Sequence, residues 1–187
     1  MSNNFIIGMA SDEISANYMS DVIPEIEAIT GKPLTLWPAT IPETITGELD
    51  FYEMKPDTFG SRSSPLTETE KAVWYSHFKL WQYITVNGLS GWIFEHDADI
   101  RNMQPWPTVR QRFNLAFAGD YANMTAYYIH HTAAEQLVFR ATSLKILGQI
   151  DTFLYEYLAR GTPHKINCHA MNYDVKQYKH HGTTIQH

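Results

Sequence analysis

Residues 66–100, LTETEKAVWYSHFKLWQYITVNGLSGWIFEHDADI, contain the pattern from which the fold class is predicted, a helix followed by a buried strand. Thr67, followed three residues later by Glu70, has the form of a capping box, and Asn87-Gly88 marks a turn, so a helix is predicted between them. Its buried face would be formed by apolar residues at helical spacing: Ala72, Trp74, Tyr75, Phe78, Leu80, Trp81 and Ile84. The continuous apolar run GWIF at 91–94 then predicts a strand that is covered on both faces.

Acidic side chains follow this strand directly, at Glu95, Asp97 and Asp99. Because open α/β sheets bind ligands at the carboxyl ends of their strands, we expect a binding site here. Three carboxylates within five residues repel one another, and a bound Mg²⁺ or Mn²⁺, which prefers oxygen ligands, would offset that charge. A solvated acidic turn explains the same spacing, so the residues alone leave both interpretations open.

The flanking segments predict further strands and helices of an α/β domain. A strand at 5–9, a helix at 17–29 and a strand at 34–37 form a β-α-β unit with a parallel strand pair. Residues 40–65 are rich in Pro, Gly, Ser and Thr and predict a long loop, which is either a functional lid or a plain connector. Later strands are predicted at 114–118 and 125–129, and later helices at 130–138 and 152–159.

Composition restricts the class of protein. A length of 187 residues suits a single domain, 1–187. No apolar run approaches the roughly 20 residues that a membrane span needs, and the first residues lack the features of a secretory signal, so a soluble, cytoplasmic protein is the default expectation. A net charge of -6 disfavours broad binding to nucleic acid. Cys168 is the single cysteine, which excludes an internal disulfide and a thiolate metal cluster.

Several motifs in order resemble glycosyltransferase family 25, the lipopolysaccharide-biosynthesis-type sugar transferases. These are Glu70, the pair Ser76-His77, the pair Leu80-Trp81, and a strand closed by Glu95-x-Asp97. The resemblance implies a GT-A fold: one α/β, Rossmann-like domain with a mixed, mostly parallel sheet flanked by helices. This chain departs from the family pattern at His96, which replaces the middle aspartate, and it lacks the arginine that commonly follows the first strand.

The resemblance also implies an activity. A nucleotide-sugar-dependent glycosyltransferase moves a sugar from a nucleoside-diphosphate donor to a hydroxyl acceptor, with Mn²⁺ or Mg²⁺ as cofactor. Asp97 is then the direct metal ligand, Asp99 a second candidate, and a C-terminal histidine, His169 or His180, a third. Glu95 would contact the donor ribose, or the metal through water.

Other residues receive substrate or catalytic roles by the same resemblance. Asp151 is the expected base for an inverting reaction, although Asp is also a favoured N-cap of the helix that follows. Ser76 and His77 are expected to bind the donor, although a buried histidine with a purely structural hydrogen bond is an open alternative. Glu70 belongs to the motifs of the resemblance and is part of the predicted substrate-binding set. Arg62 is added from the loop itself: flanked by Gly60 and serines, it would meet a donor phosphate if the 40–65 loop closes.

The acceptor is left open by the sequence. A surface glycan is the expected acceptor, and a hydroxymethylated base of DNA is an alternative that the acidic composition disfavours. A non-catalytic sugar- or nucleotide-binding module is an alternative from another class. A metal-dependent nuclease could also use clustered acids, but it would not explain the motifs around Ser76 and Leu80.

Overall fold

The computed structural model describes residues 3–45, 55–56, 66–110, 112–119, 125–144, 146–159, 166–171, 173 and 175–177. Its N-terminal elements are β1 (Asn4–Gly8), α1 (Glu13–Thr30), β2 (Leu34–Pro38), a short 3₁₀ helix (Pro42–Thr44) and β3 (Lys55–Pro56). β1 and β2 pair in parallel, which confirms the predicted β-α-β unit. Part of the predicted 40–65 loop is therefore regular structure, because β3 pairs in parallel with a strand from the C-terminal half.

The central stretch forms α2 (Glu68–Asn87), β4 (Ser90–Glu95) and β5 (Ala98–Asp99). Both halves of the capping box are present: the Thr67 side chain accepts a hydrogen bond from the Glu70 backbone, and the Glu70 carboxylate accepts one from the Thr67 backbone. Gly88 ends the helix in the left-handed conformation (φ 60°), which glycine adopts at low cost. The helix and strand predicted from this stretch are confirmed.

The described residues of the C-terminal half form seven elements. They are β6 (Leu115–Phe117), β7 (Ala126–His130), α3 (His131–Leu144), β8 (Ile146–Leu147), α4 (Ile150–Ala159), β9 (Cys168–Ala170) and β10 (Lys176–Gln177). The main sheet has six strands in the order β2-β1-β4-β7-β6-β9. β4 pairs in parallel with β1 and antiparallel with β7, so the sheet is mixed, as predicted.

Two hydrophobic clusters cover the two faces of the sheet. One packs Phe5, Ile7 and Ile93 against α2, α3 and α4. The other packs Ile6 and Phe94 against α1 and the segment 100–109. Trp106 is half-buried and packs against this second cluster, with its ring centroid 4.9 Å from that of Trp92, and so anchors the segment to the sheet. Alternate residues of β4 thus enter different cores, as a strand covered on both faces requires.

The pair His130-His131 lies where the chain passes from a strand to a helix. Adjacent histidines on a strand would point to opposite faces, but β7 ends at His130 and α3 begins at His131. The change of backbone direction brings the two ring centroids to 4.1 Å. His130 also pairs with Ser90, at the opposite end of β4 from Glu95, so neither histidine reaches the acidic end of this strand.

Candidate functional site

Glu95 is the last residue of β4 and lies at the carboxyl end of an inner strand. It stands in register with Ile7, so it is next to the end of β1 and the loop that follows. Side chains alternate along a strand, and Ile7 and Ile93 both belong to the cluster under α2. Glu95 therefore lies on the α2 face of the sheet, where a buried polar network meets it.

This network consists of Trp81, Tyr127 and His77. Nε1 of Trp81 donates a hydrogen bond to the Tyr127 hydroxyl at 2.9 Å, and that hydroxyl lies 2.7 Å from Nδ1 of His77. The other ring nitrogen of His77, Nε2, is 3.6 Å from the Glu95 carboxylate. His77 is 1% exposed, so its polar neighbours are provided by the protein itself.

The donors in this network determine how the proton of a neutral His77 is placed. Trp81 can only donate, so the Tyr127 oxygen accepts from it, and the arrangement that also gives the Tyr127 hydrogen an acceptor directs it towards Nδ1 of His77. A neutral imidazole that accepts at Nδ1 carries its hydrogen on Nε2, which faces Glu95. The network thus orients a positive N–H edge towards the carboxylate. Burial raises the pKa of Tyr127 well above its ordinary value, so this hydroxyl keeps its proton.

Two further carboxylates are electrostatically linked to Glu95. Burial, reinforced by the negative charge of Glu95, raises the pKa of Asp97 to about 7. The same two causes, in the same order, raise the pKa of Asp151 to about 7. Asp151 is in the first turn of α4, and the neighbouring Ile150 and Phe153 pack into the cluster that also contains Tyr127. The charge of Glu95 therefore acts on both aspartates, and these three carboxylates, from separate parts of the chain, are the candidate acidic site.

Asp99 is arranged differently from these acids. Its carboxylate accepts hydrogen bonds from Nε of Arg101 at 2.8 Å and from the Arg101 backbone at 3.1 Å, and a second guanidinium nitrogen meets its other oxygen. Arg101 also approaches Glu25 at 3.6 Å. The charge of Asp99 is thus offset within the protein.

The predicted donor-binding residues of α2 have structural partners. The Ser76 hydroxyl donates to the Ala72 carbonyl and accepts from the Thr40 backbone, each at 2.8 Å, so it ties the segment after β2 to α2. Glu70 closes the capping box.

His96 lies beside Tyr18 of α1, with ring centroids 5.7 Å apart. Burial lowers the pKa of His96, and this outweighs the opposing effect of Glu95 and Asp12.

His169 is not brought to the acidic site. It lies on β9, the edge strand three positions from β4, which corresponds to about 14 Å at the usual strand spacing. Its register runs through Ala116 and Tyr128 to Trp92, which belongs to the face opposite that of Glu95.

Arg62 and His180 lie outside the described residues. Burial raises the pKa of Cys168 to about 12, so this thiol packs and does not react.

The acidic site has the donor chemistry of a divalent-cation site. Its oxygens are those that Mg²⁺ and Mn²⁺ prefer, and a cation would relieve the repulsion between Glu95 and Asp97. No group of three His, Cys, Asp or Glu side chains within the described part of the chain is arranged to hold a metal by itself. A site of this kind suits a cation that takes one or two protein carboxylates and completes its shell with substrate phosphates.

Sequence reasoning missed the role of Tyr127. The β-prone segment 125–129 predicts a strand, and alternation along that strand turns Tyr127 towards the α2 face. A tyrosine on the inner side of a central strand needs a partner for its hydroxyl. The partners are Trp81 and His77, which the motif on α2 already contains.

Similarity to known proteins is limited to structure. No protein-family model matches the sequence, and no curated protein matches it. The fold is similar to the crystal structure of a glycosyltransferase involved in the glycosylation of the major capsid of PBCV-1, with a TM-score of 0.52 and 13% sequence identity. The match covers 92% of this chain and 82% of that one. At this identity the likeness concerns the fold, and it confirms the predicted α/β, GT-A-like architecture.

Proposed function

We propose that this chain is a metal-dependent, nucleotide-sugar-dependent glycosyltransferase that acts on a hydroxyl of a glycan. The observation that supports the proposal is a carboxylate, Glu95, at the carboxyl end of an inner strand, whose charge helps to raise the pKa values of Asp97 and Asp151. The similarity to a capsid-glycosylating enzyme supports it, as does the resemblance of the α2 motifs to family 25.

The reaction requires a cation for the donor and a base for the acceptor. Asp97, with Glu95 beside it, would hold Mn²⁺ or Mg²⁺ together with the donor phosphates. When bound, the cation acts as a Lewis acid that offsets the charge of the departing nucleoside diphosphate. Nε2 of His77 faces Glu95 at 3.6 Å, and the His77 ring is held in place by Tyr127.

Asp151 is the proposed base. As the acceptor oxygen forms its bond to the anomeric carbon and the bond to the diphosphate breaks, the hydroxyl proton passes to the Asp151 carboxylate. A pKa of about 7 suits a base that works near neutral pH, because the group is partly ionised and still binds a proton firmly. Asp151 is inside the first turn of α4, so its position favours this role over that of an N-cap.

The proposal is tested by nucleotide release from a panel of UDP-, GDP- and CMP-sugars, with Mn²⁺ or with a chelator. We expect metal-dependent release from one donor, and its loss in Asp97→Ala. A chain that binds one donor but releases nothing with any acceptor would be a binding module. A chain that binds no donor with or without metal would contradict both interpretations.

A further inference from the structure

A second candidate site lies away from the acidic residues. A cavity of about 360 Å³ opens beside the edge strand β9, on the α1 face of the sheet. Its lining includes Arg110, Arg112, Phe113, His169, Met171 and Tyr173. The volume is at the lower end of the range for small-molecule sites.

The cavity contains two guanidinium groups whose charge the described residues do not neutralise. Arg110 and Arg112 are both exposed, and no carboxylate of the described residues forms an ion pair with either. Arg101, by contrast, is paired with Asp99. The chain as a whole has a net charge of -6, so two arginines beside one cavity form a local positive patch that favours an anionic ligand.

Aromatic contacts hold one of these arginines in place. The Arg112 guanidinium lies 4.7 Å from the ring centroid of Phe113, within cation–π distance. The ring of His169 stacks on Phe113, with centroids 4.6 Å apart and an angle of 10° between the planes. This stack limits the freedom of the Arg112 side chain, and a pre-ordered guanidinium fork suits a carboxylate or phosphate.

We infer that this cavity binds an acidic sugar residue of the acceptor, one that carries a carboxylate or a phosphate. The arginines would bind the anion, while Phe113, Met171 and Tyr173 offer aromatic and apolar surface to the sugar ring. The choice of a saccharide rests on the proposed transferase function. The anionic group and the packing of a ring are inferred from the arginines and aromatic residues of the cavity.

The position of the cavity implies that the acceptor is an oligosaccharide. β9 is three strands from β4, about 14 Å away, so the bound residue is not the one that reacts. The cavity nevertheless reaches the same end of the sheet. The Met171 backbone bonds to the Phe117 carbonyl, and the Tyr173 backbone bonds to that of Ala118. Phe117 pairs with Tyr127, near the end of the sheet where Glu95 lies. Arg112 and Phe113 precede β6 at the other end, where the His130 backbone bonds to the Asn114 carbonyl, and the cavity lies on the face opposite Glu95. A glycan that occupies both sites must therefore be long enough to run along β9 and around the edge of the sheet.

Methionine methyl groups give a local readout of binding. In protein labelled with ¹³C at the methionine methyls, Met171 reports on the cavity, while Met19, a buried residue of α1 beside Gly8, is the internal reference. The probes are tetragalacturonate, a phosphorylated mannan oligosaccharide, a neutral maltotetraose and a single-stranded DNA oligomer. We expect one or both acidic saccharides to shift Met171 and leave Met19 unchanged, and maltotetraose to have no effect.

Variants assign the binding to the arginines. Arg110→Gln and Arg112→Gln should each weaken acidic-saccharide binding about tenfold, since each removes a charged hydrogen-bonding partner. Arg112→Lys should be intermediate, because it keeps the charge and loses the fork. Lys32→Gln, which removes one exposed positive charge next to β2 at the other edge of the sheet, is the matched control and should bind normally.

The outcomes separate this inference from the proposed function. Nucleotide release with no Met171 shift by either acidic saccharide would overturn the inference and leave the transferase intact. An Arg-dependent Met171 shift without turnover of any donor would keep the anionic-sugar site and contradict the transferase. A Met171 shift by DNA and by neither saccharide, or equal binding by Lys32→Gln and the arginine variants, would also overturn the inference.

Discussion

Asp97 and Asp99 are two residues apart and have opposite electrostatic surroundings. Asp99 is buried against the guanidinium of Arg101, which neutralises it and fixes both of its oxygens. Asp97 is held near another carboxylate, Glu95, and its pKa rises to about 7. An acidic cluster in a sequence can therefore contain acids of two kinds. One is neutralised within the fold, whereas the charge of the other favours a cation that arrives with a ligand.

The largest expected effect separates these two aspartates directly. Asp97→Asn should lower donor turnover about 10³-fold, since it removes a ligand from the cation that stabilises the leaving group. Asp99→Asn should stay within about threefold of the native rate, because its partner is Arg101 and not the substrate. Steady-state nucleotide release by the two variants, on a donor that the native chain turns over, makes the comparison. Equal losses in both would remove the distinction.

Asp151 should show the next largest effect. Asp151→Asn is expected to lower sugar transfer about 10²-fold, the lower part of the range for general base catalysis. In the native protein, transfer should decline as the pH falls through about 7, because the base becomes protonated, and this acid limb should vanish in the variant. A pH–rate profile of both proteins tests this. A retained acid limb in Asp151→Asn would assign the base to another group.

Stability should depend on pH through the same acids. The folded pKa values of Asp97 and Asp151 are raised from 3.8 to about 7, so the native state binds protons more tightly than the unfolded state between these values. Their contribution is therefore greatest below about pH 4 and declines as the pH rises to about 7, by on the order of a few kcal/mol. Urea unfolding from pH 4 to 8 should show a smaller decline in Asp97→Asn. An unchanged slope would mean that Asp97 has an ordinary environment.

Substitutions of Tyr127 and Tyr128 compare the stability contributions of hydroxyl groups on the two faces of the sheet. Tyr127→Phe removes the hydroxyl shared by Trp81 and His77 and should cost about 1–3 kcal/mol, because it leaves buried polar atoms without a partner. Tyr128→Phe, on the opposite face and half-buried, should change stability by less than about 0.5 kcal/mol. Denaturant unfolding measures both. Nitrogen NMR of His77 should show the hydrogen on Nε2 in the native protein and a mixture of tautomers in Tyr127→Phe.

Glu70 should show the smallest effect. Glu70→Ala removes half of the capping box and should cost about 0.5–1 kcal/mol of stability, whereas Glu70→Gln retains a capping side chain. If Glu70 acts only as a cap, the donor KM of both variants stays at the native value. A raised KM in Glu70→Gln, with unchanged thermal unfolding, would instead restore the substrate contact predicted from the sequence.

The local elements were predictable from the sequence because their signals are local. The capping box at Thr67 and Glu70, the apolar run of β4 and the β-α-β unit each follow from residues close together in the chain. The short strands β3, β8 and β10 were not predicted. They have two residues each and exist through pairing with distant segments, so no periodicity marks them.

The candidate site was predictable in part for the same reason. Glu95 and Asp97 were chosen from their place after the predicted strand, and Asp151 from the family resemblance; the charge of Glu95 acts on both aspartates. His169 was chosen by residue type, and the strand order places it at the far edge of the sheet. Tyr127 was missed because its role depends on which α2 side chains face it, a contact that no short window of sequence encodes.

The most direct test of the central claim is Mn²⁺ binding in the presence of UDP, measured by electron paramagnetic resonance. The native chain and Asp99→Asn should bind Mn²⁺ with similar affinity, and Asp97→Asn should bind it at least about tenfold more weakly, since it loses a charged ligand. Unchanged affinity in Asp97→Asn, or a loss confined to Asp99→Asn, would contradict the account of this acidic site.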